Sequence, residues 1–291
     1  MGVRERSCNV PLVSARTRLD ITGMEAMHVR PAAVAGMFYP ETPAALRRDV
    51  SARLAAVAAP APAPKAIVVP HAGYVYSGRV AATAYASVRS AAAAVRHVVL
   101  IGPSHRVGFR GIAVPEADAF ASPAGVVPID TDARRRALAH SAVFASDRAH
   151  AQEHSLEVQL PFLSTVLEQF ELLPLLAGEV SSGDVADVLD RVWGGRDTLI
   201  VVSTDLSHFH DQRMARRLDD ATAARIVAFD ATLEGDDACG AAGLNGFLVA
   251  AARRGMRSRQ LDIGTSADTA GDPHRVVGYG AFAFYDHDTV A

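Results

Sequence analysis

Three apolar runs in this chain each break off into a polar turn that carries histidine. They read KAIVVPHAGY (65–74), HVVLIGPSHR (97–106) and TLIVVSTDLSHFH (198–210). A β-branched run without polar alternation is the pattern of a strand buried on both faces, as in a parallel sheet covered by helices. In open α/β sheets, ligands bind outside the carboxyl ends of the strands. Such a chain brings His71, His105, Asp205 and His208 to one rim of the sheet, although they lie far apart in sequence.

Composition narrows the partners. The 291 residues are 49% hydrophobic and 21% charged, enough apolar content for a large core and against global disorder. Net charge is -3, so there is no basic field for nucleic acid. No apolar run reaches about 18 residues, so no membrane helix is expected. Two cysteines, Cys8 and Cys239, cannot build a disulfide framework, and a reducing cytoplasm is the expected compartment. Residues 1–28 are Arg-rich and lack a secretory apolar region. They superficially have transit-peptide composition, but read as a disordered N-terminal extension ahead of one domain over 29–291.

Along that domain, strand and helix alternate. A helix is expected over 42–59, with Thr42 as N-cap and Pro43 in the first turn. Strands follow at 66–70 and 97–102, around a helix over 77–94. Short strands at 111–114 and 125–129 flank a polar loop, and 132–140 is helical. Leu156, Leu160, Leu163 and Leu167 form the stripe of a helix beginning at 153. A strand over 170–178, a helix over 184–193 and the strand from 198 come next. Helices over 212–232 and 240–255 follow, the second closed by Gly255, and then two late strands. The order predicts an α/β fold: a single domain with a central, largely parallel or mixed sheet flanked by helices.

The chemistry lies in a few side chains. His71 and His105 stand at equivalent strand ends, and with Cys239 they make a plausible set of metal ligands. The plainer readings are hydrogen-bonded structural histidines and a buried inert thiol. Cys239 precedes a helix of small residues, whose N-terminus would lower the thiol pKa. Asp205 and His208 are three apart after a strand. His208 is the candidate general acid–base with Asp205 fixing its tautomer, or Asp205 caps a helix. In EHSLEVQLPF, His154 lines the pocket and Glu157 is spaced to position it. That segment, beginning at Glu153, lacks the adjacent second histidine of an inverted zinc-protease motif. No phosphate-binding loop or dinucleotide fingerprint is present.

These segments resemble the Memo family, in bacteria often named AmmeMemoRadiSam system protein B. The similarity is carried by VRPAAVAGMFYP, VVPHAGYVYSG, IGPSHR, EHSLEVQLPFL, STDLSHF, DDACG and VVGYGAFAF, which span about 29–285. The resemblance implies a fold similar to class III extradiol dioxygenases, which hold non-haem Fe(II) with two histidines and a glutamate. Carried over, His71 and His105 match the histidine ligands, and Cys239 takes the carboxylate's place. His208 with Asp205 falls at the acid–base position, with His154 near the same pocket. A thiolate favours softer metals, so iron or copper is expected, with zinc possible. The resemblance also implies a radical SAM protein and an AMMECR1-like protein as partners. Three functions follow: a metal-dependent oxidoreductase acting on an unknown small molecule, a non-redox metal hydrolase, or a binding protein that reuses the pocket.

Overall fold

A computed structural model describes residues 27–58 and 62–286. The extension read over 1–28 therefore lies outside the described residues except for Met27 and His28, and Cys8 lies outside them too.

In chain order the elements are β1 (Val29–Arg30), α1 (Pro43–Ala55), β2 (Ala66–Val69), α2 (Tyr74–Val88), β3 (His97–Pro103), β4 (Ile112–Val114), β5 (Ala119–Ser122) and β6 (Gly125–Pro128). Next come α3 (Thr131–Leu138), β7 (Val143–Ala145), α4 (Asp147–His150), α5 (Leu160–Val166), β8 (Glu171–Ala177), α6 (Ser182–Val192) and β9 (Thr198–Ser203). The chain closes with β10 (His208–His210), α7 (Gln212–Val227), α8 (Ala241–Arg253), β11 (Arg257–Thr265) and β12 (Val276–Tyr285).

The expected mixed sheet is present. Its strand order is β10-β12-β2-β9-β3-β8-β4-β7, with β11 paired to β12. The centre β2-β9-β3-β8 is parallel, and β12 and β4 join it antiparallel on either side. A second small sheet, β1-β5-β6, lies apart from it.

Helices on both faces explain the unbroken apolar runs. Ile67, Val69, Val98, Leu100, Leu199 and Val201 belong to one core, with residues of α1, α2 and α5. Their neighbours Ala66, Val68, Val99, Ile101, Ile200 and Val202 belong to the other, with α3, α6, α7 and α8. Successive side chains thus alternate between two dry faces, and neither face needs a polar residue. Among the described residues, no helix is long and apolar enough to cross a membrane.

Two local expectations differ from the fold. The helix expected from 153 starts at Leu160; before it the chain runs irregularly through Glu153–Leu156 and a single 3-10 turn, Glu157–Gln159. Pro161 belongs in a helix's first turn, which sets the start there. The polar loop between the expected short strands contains β5, which pairs with both β1 and β6. The caps fall as expected: Thr42 accepts from Ala45 N–H, and Gly255 adopts φ +61° beyond α8.

Candidate metal centre

β2, β9 and β3 are parallel neighbours, so the turns that leave their carboxyl ends lie side by side. These turns carry His71, Thr204–His208 and His105. The 153–156 turn covers them from above β3, and Cys239 arrives on the turn before α8. Gly240 permits that approach: a Cβ there would sit 2.8 Å from the Ser203 carbonyl oxygen and from Thr204 Cβ.

The rings of His71, His105 and His154 converge. Their centroids are 5.1 Å apart for His71–His105, 5.5 Å for His71–His154 and 4.7 Å for His105–His154. One nitrogen from each falls within 4.8 Å of the others, close enough to share one ion. Cys239 stands beside this trio at His71, with Sγ 3.3 Å from Nε2, and is not one of the three clustered donors.

Hydrogen-bond bookkeeping fixes which nitrogens are bare. Ser203 Oγ–H donates to the Ser155 carbonyl at 2.7 Å and accepts Gln159 Nε2–H at 2.9 Å. Its only proton is used, so His71 Nδ1, 3.0 Å away, must be the donor. His71 Nε2 is left with a lone pair facing Cys239. Gln159 is oriented in turn, since its amide also donates to Pro70 O and its carbonyl accepts from Tyr85. The same logic holds at His105. Its Nδ1 lies 3.0 Å from Glu153 Oε1, a pure acceptor when ionised, so Nε2 is again bare. His154 Nδ1 is 3.2 Å from the same oxygen but out of line, and it is buried without a hydrogen-bond partner.

The electrostatics suit a cation-binding pocket that keeps His71 and His154 neutral. Burial pushes His71 well below its ordinary value, reinforced by His105 and His154. Burial also takes His154 down to about 4 and lowers His208. Burial would raise Glu153, but bonds from the His105 ring and from the Ser155 and His105 amides outweigh it and hold the carboxyl at about 2. Burial lifts Asp205 to about 7, against the His71 and Ala72 amides that bond it.

Cys239 corrects a sequence expectation. Although it precedes α8, burial and the neighbouring Asp205 push its thiol up to about 12 rather than down. The amide of Asp205 donates to Sγ at 3.3 Å, yet this does not offset the burial. A thiol so held is a poor free nucleophile; it becomes a thiolate when a cation replaces its proton.

The remaining site residues fall as follows. Asp205 accepts the His71 amide through Oδ1 at 2.8 Å, and its Oδ2 lies 3.9 Å from His71 Nε2. It thus supports His71, and no helix follows it to be capped; the chain enters β10 instead. His208 bonds the Leu206 carbonyl and lies near enough for its charge to depress His71. It begins a β-bulge against β12, and Phe209 beside it has φ +66°, a strained conformation for a bulky residue. Glu157, expected to position His154, is turned away. It is fully buried and takes the Arg30 guanidinium, the Ala33 and Val34 amides and the Tyr39 hydroxyl. The residues that orient the cluster are instead Glu153, Ser203 and Gln159. All three stand in the runs already quoted, but nothing in local spacing reveals their partners.

A cavity of about 510 Å³ opens beside Cys239, walled by Ser104, Phe109, Arg110, Glu179 and Gly243. It gives the site room for a small molecule next to the thiol.

The sequence matches the family profile described as "Memo-like protein" over residues 30–283. It is similar to a MEMO1 family protein of Aquifex aeolicus, 34% identical over 268 residues, covering 87% of this chain and 98% of that one. A MEMO1 family protein of Methanopyrus kandleri is 34% identical over 284 residues, covering 88% and 98%. One from Nitrosopumilus maritimus is 29% identical over 275 residues, covering 88% and 99%. With a profile match across nearly all of the described fold and relatives aligned almost end to end, this chain belongs to the Memo-like family.

Proposed function

We propose that this chain is a redox metalloprotein in which His71, His105 and Cys239 hold a single iron or copper ion, and that it acts as an oxidoreductase on a small molecule. The observation that carries this reading is the convergence of the His71, His105 and His154 rings with the Cys239 thiol set against His71 Nε2 at 3.3 Å. Mixed imidazole and thiolate donors suit iron, copper and zinc and disfavour magnesium or calcium. When bound, iron or copper supplies one-electron chemistry. The protein's part is to bind, orient and move protons. Ser203 and Glu153 orient the two imidazoles, while Cys239 would release its proton to solvent as the cation takes its place. His208, neutral and at the rim, is the proton acceptor, and the cavity beside Cys239 receives the substrate. By family resemblance, the partners are a radical SAM protein and an AMMECR1-like protein in the cytoplasm.

A second reading has its own support. His154 brings a third nitrogen to the cluster, and three histidines with a fourth position left for water make a donor set suited to catalytic zinc. Zinc would make the site hydrolytic, with His208 as base.

Elemental mass spectrometry on anaerobically purified protein tests both, beside His71→Ala and Cys239→Ala. Near-stoichiometric iron or copper, lost in both variants, supports the oxidoreductase. Stoichiometric zinc moves the reading to the hydrolase. No metal under any loading condition overturns the ligand assignment and leaves a binding protein.

A further inference from the structure

We propose that Glu153 is the positioning residue of this site: one buried carboxylate that selects the metal-facing nitrogen of His105 and holds His154 beside it. The inference rests on the metal-site reading above.

The two candidate histidine ligands are secured differently. His71 is 2% exposed, so packing and Ser203 together restrain its ring. The His105 side chain is 31% exposed on an open turn, and packing alone cannot hold it. Its polar restraint is Glu153, which grips it twice. Oε2 accepts the His105 amide at 2.5 Å, and Oε1 accepts the ring Nδ1–H at 3.0 Å. Bonding backbone and ring of one residue to one carboxylate fixes both side-chain torsions. Oε1 also accepts the His154 and Ser155 amides, each at 2.9 Å. Every partner is a donor, so only a full acceptor satisfies the arrangement. An amide in its place would turn N–H against N–H.

The carboxylate is itself anchored. Its residue is 2% exposed, and its backbone carbonyl accepts Arg30 Nη2–H at 2.7 Å. Arg30 also donates to the His150 carbonyl at 3.0 Å, so one buried guanidinium pins the turn that delivers Glu153. Supporting carboxylates of this kind fix ligand tautomer and orientation, and losing one typically costs roughly ten- to a hundredfold in metal affinity.

The test is titration of cobalt(II) into the full chain, read by affinity and by the visible absorption bands of the bound ion. Glu153→Gln is compared with Glu153→Asp and with Tyr39→Phe. The last removes a hydroxyl from the nearby Arg30–Glu157 network without touching the histidines. Glu153→Gln is expected to lose roughly ten- to a hundredfold in affinity and to alter the bands. Glu153→Asp, which keeps a full acceptor, recovers part of both. Tyr39→Phe lowers the thermal midpoint and leaves affinity and bands unchanged. Wild-type affinity and bands in Glu153→Gln would overturn the inference while leaving the metal site standing. The same holds if Tyr39→Phe reproduces its losses. If Glu153→Gln fails to fold, Glu153→Asp decides: unchanged bands and affinity overturn the inference, shifted bands with weakened binding support it. A wild-type protein that binds no cobalt, zinc, copper or iron removes the metal-site reading and this inference together.

Discussion

Replacing Arg30 with methionine should cost about 4 kcal/mol. Arg30 is 5% exposed and Glu157 is fully buried, and the two form an ion pair at the junction of the small sheet and the site. Removing one partner of a buried pair typically costs about 3–5 kcal/mol, because the other charge stays in a dry environment. Three donors would remain on Glu157: the Ala33 and Val34 amides at 2.8 and 2.9 Å and the Tyr39 hydroxyl at 2.6 Å. They soften the loss. Against them, the Glu153 carbonyl loses its donor, at about 1–3 kcal/mol for a buried group left unsatisfied, while the His150 carbonyl keeps the Glu153 amide at 3.3 Å. Methionine fills most of the aliphatic volume, so a cavity adds little. Urea unfolding followed by both Trp193 fluorescence and circular dichroism measures the change, and coincident transitions justify a free energy. At about 2 °C per kcal/mol for a domain of this size, the thermal midpoint falls by about 8 °C. In Arg30→Met/Glu157→Gln the buried charge is gone, so the double variant should lose less than the sum of the singles, by about 2 kcal/mol. A single-variant loss under about 1 kcal/mol, or strict additivity, would refute a pair coupled in this way.

Other outcomes follow from burial and packing. Gly246 lies where α8 crosses α6, and an added Cβ would come 2.2 Å from Val185 Cβ. Gly246→Ala should therefore destabilise by about 1–3 kcal/mol from overpacking, despite the roughly 1 kcal/mol that alanine gains in helix propensity; a raised melting temperature would contradict the packing. Burial depresses His150 to about 4. Between pH 6.5 and 4 the unfolded chain binds a proton there that the folded chain does not, so stability falls with pH across that window, by about 3 kcal/mol at its acid end. His150→Gln keeps a donor for the Ala113 carbonyl and should show a shallower acid decline than wild type; identical pH–stability slopes would sink this assignment.

The parts of the fold that were legible are those where burial writes directly into composition. β2, β3 and β9 sit between two helical layers, so their central residues are apolar on both faces and the run announces itself. The histidines at their ends follow from topology, since neighbouring parallel strands must release their turns on one side. β1, β5 and β10 were not legible. Each is short; β1 and β10 depend on partners distant in sequence, and β5 pairs with the nearby β6 as well as with the distant β1. The leucine stripe from Leu156 to Leu167 is real burial, but burial without a helical backbone in its first turn: Leu156 packs in the core from an irregular segment. Within the cluster, the sequence marks histidines that lie together, but not the partners that orient them. Glu153 and Glu157 look alike in EHSLE; which one meets the histidines depends on Arg30, more than a hundred residues earlier. The thiol of Cys239 was misjudged for the same reason. A helix N-terminus is visible in sequence, while the low-dielectric pocket and the Asp205 carboxylate around it are not.

The donor chain from Tyr85 through Gln159 and Ser203 to Ser155 leaves no spare proton and no spare lone pair pointing the wrong way. Any other orientation of the His71 ring would strand its own N–H and unseat Ser203. The entropy of ordering that ring, on the order of 0.5–1.5 kcal/mol for a side chain, is therefore lost when the sheet forms rather than when a ligand arrives. A site assembled in that order selects by shape. An ion of unsuitable radius would have to bend the end of a parallel strand, where a flexible loop would simply have yielded.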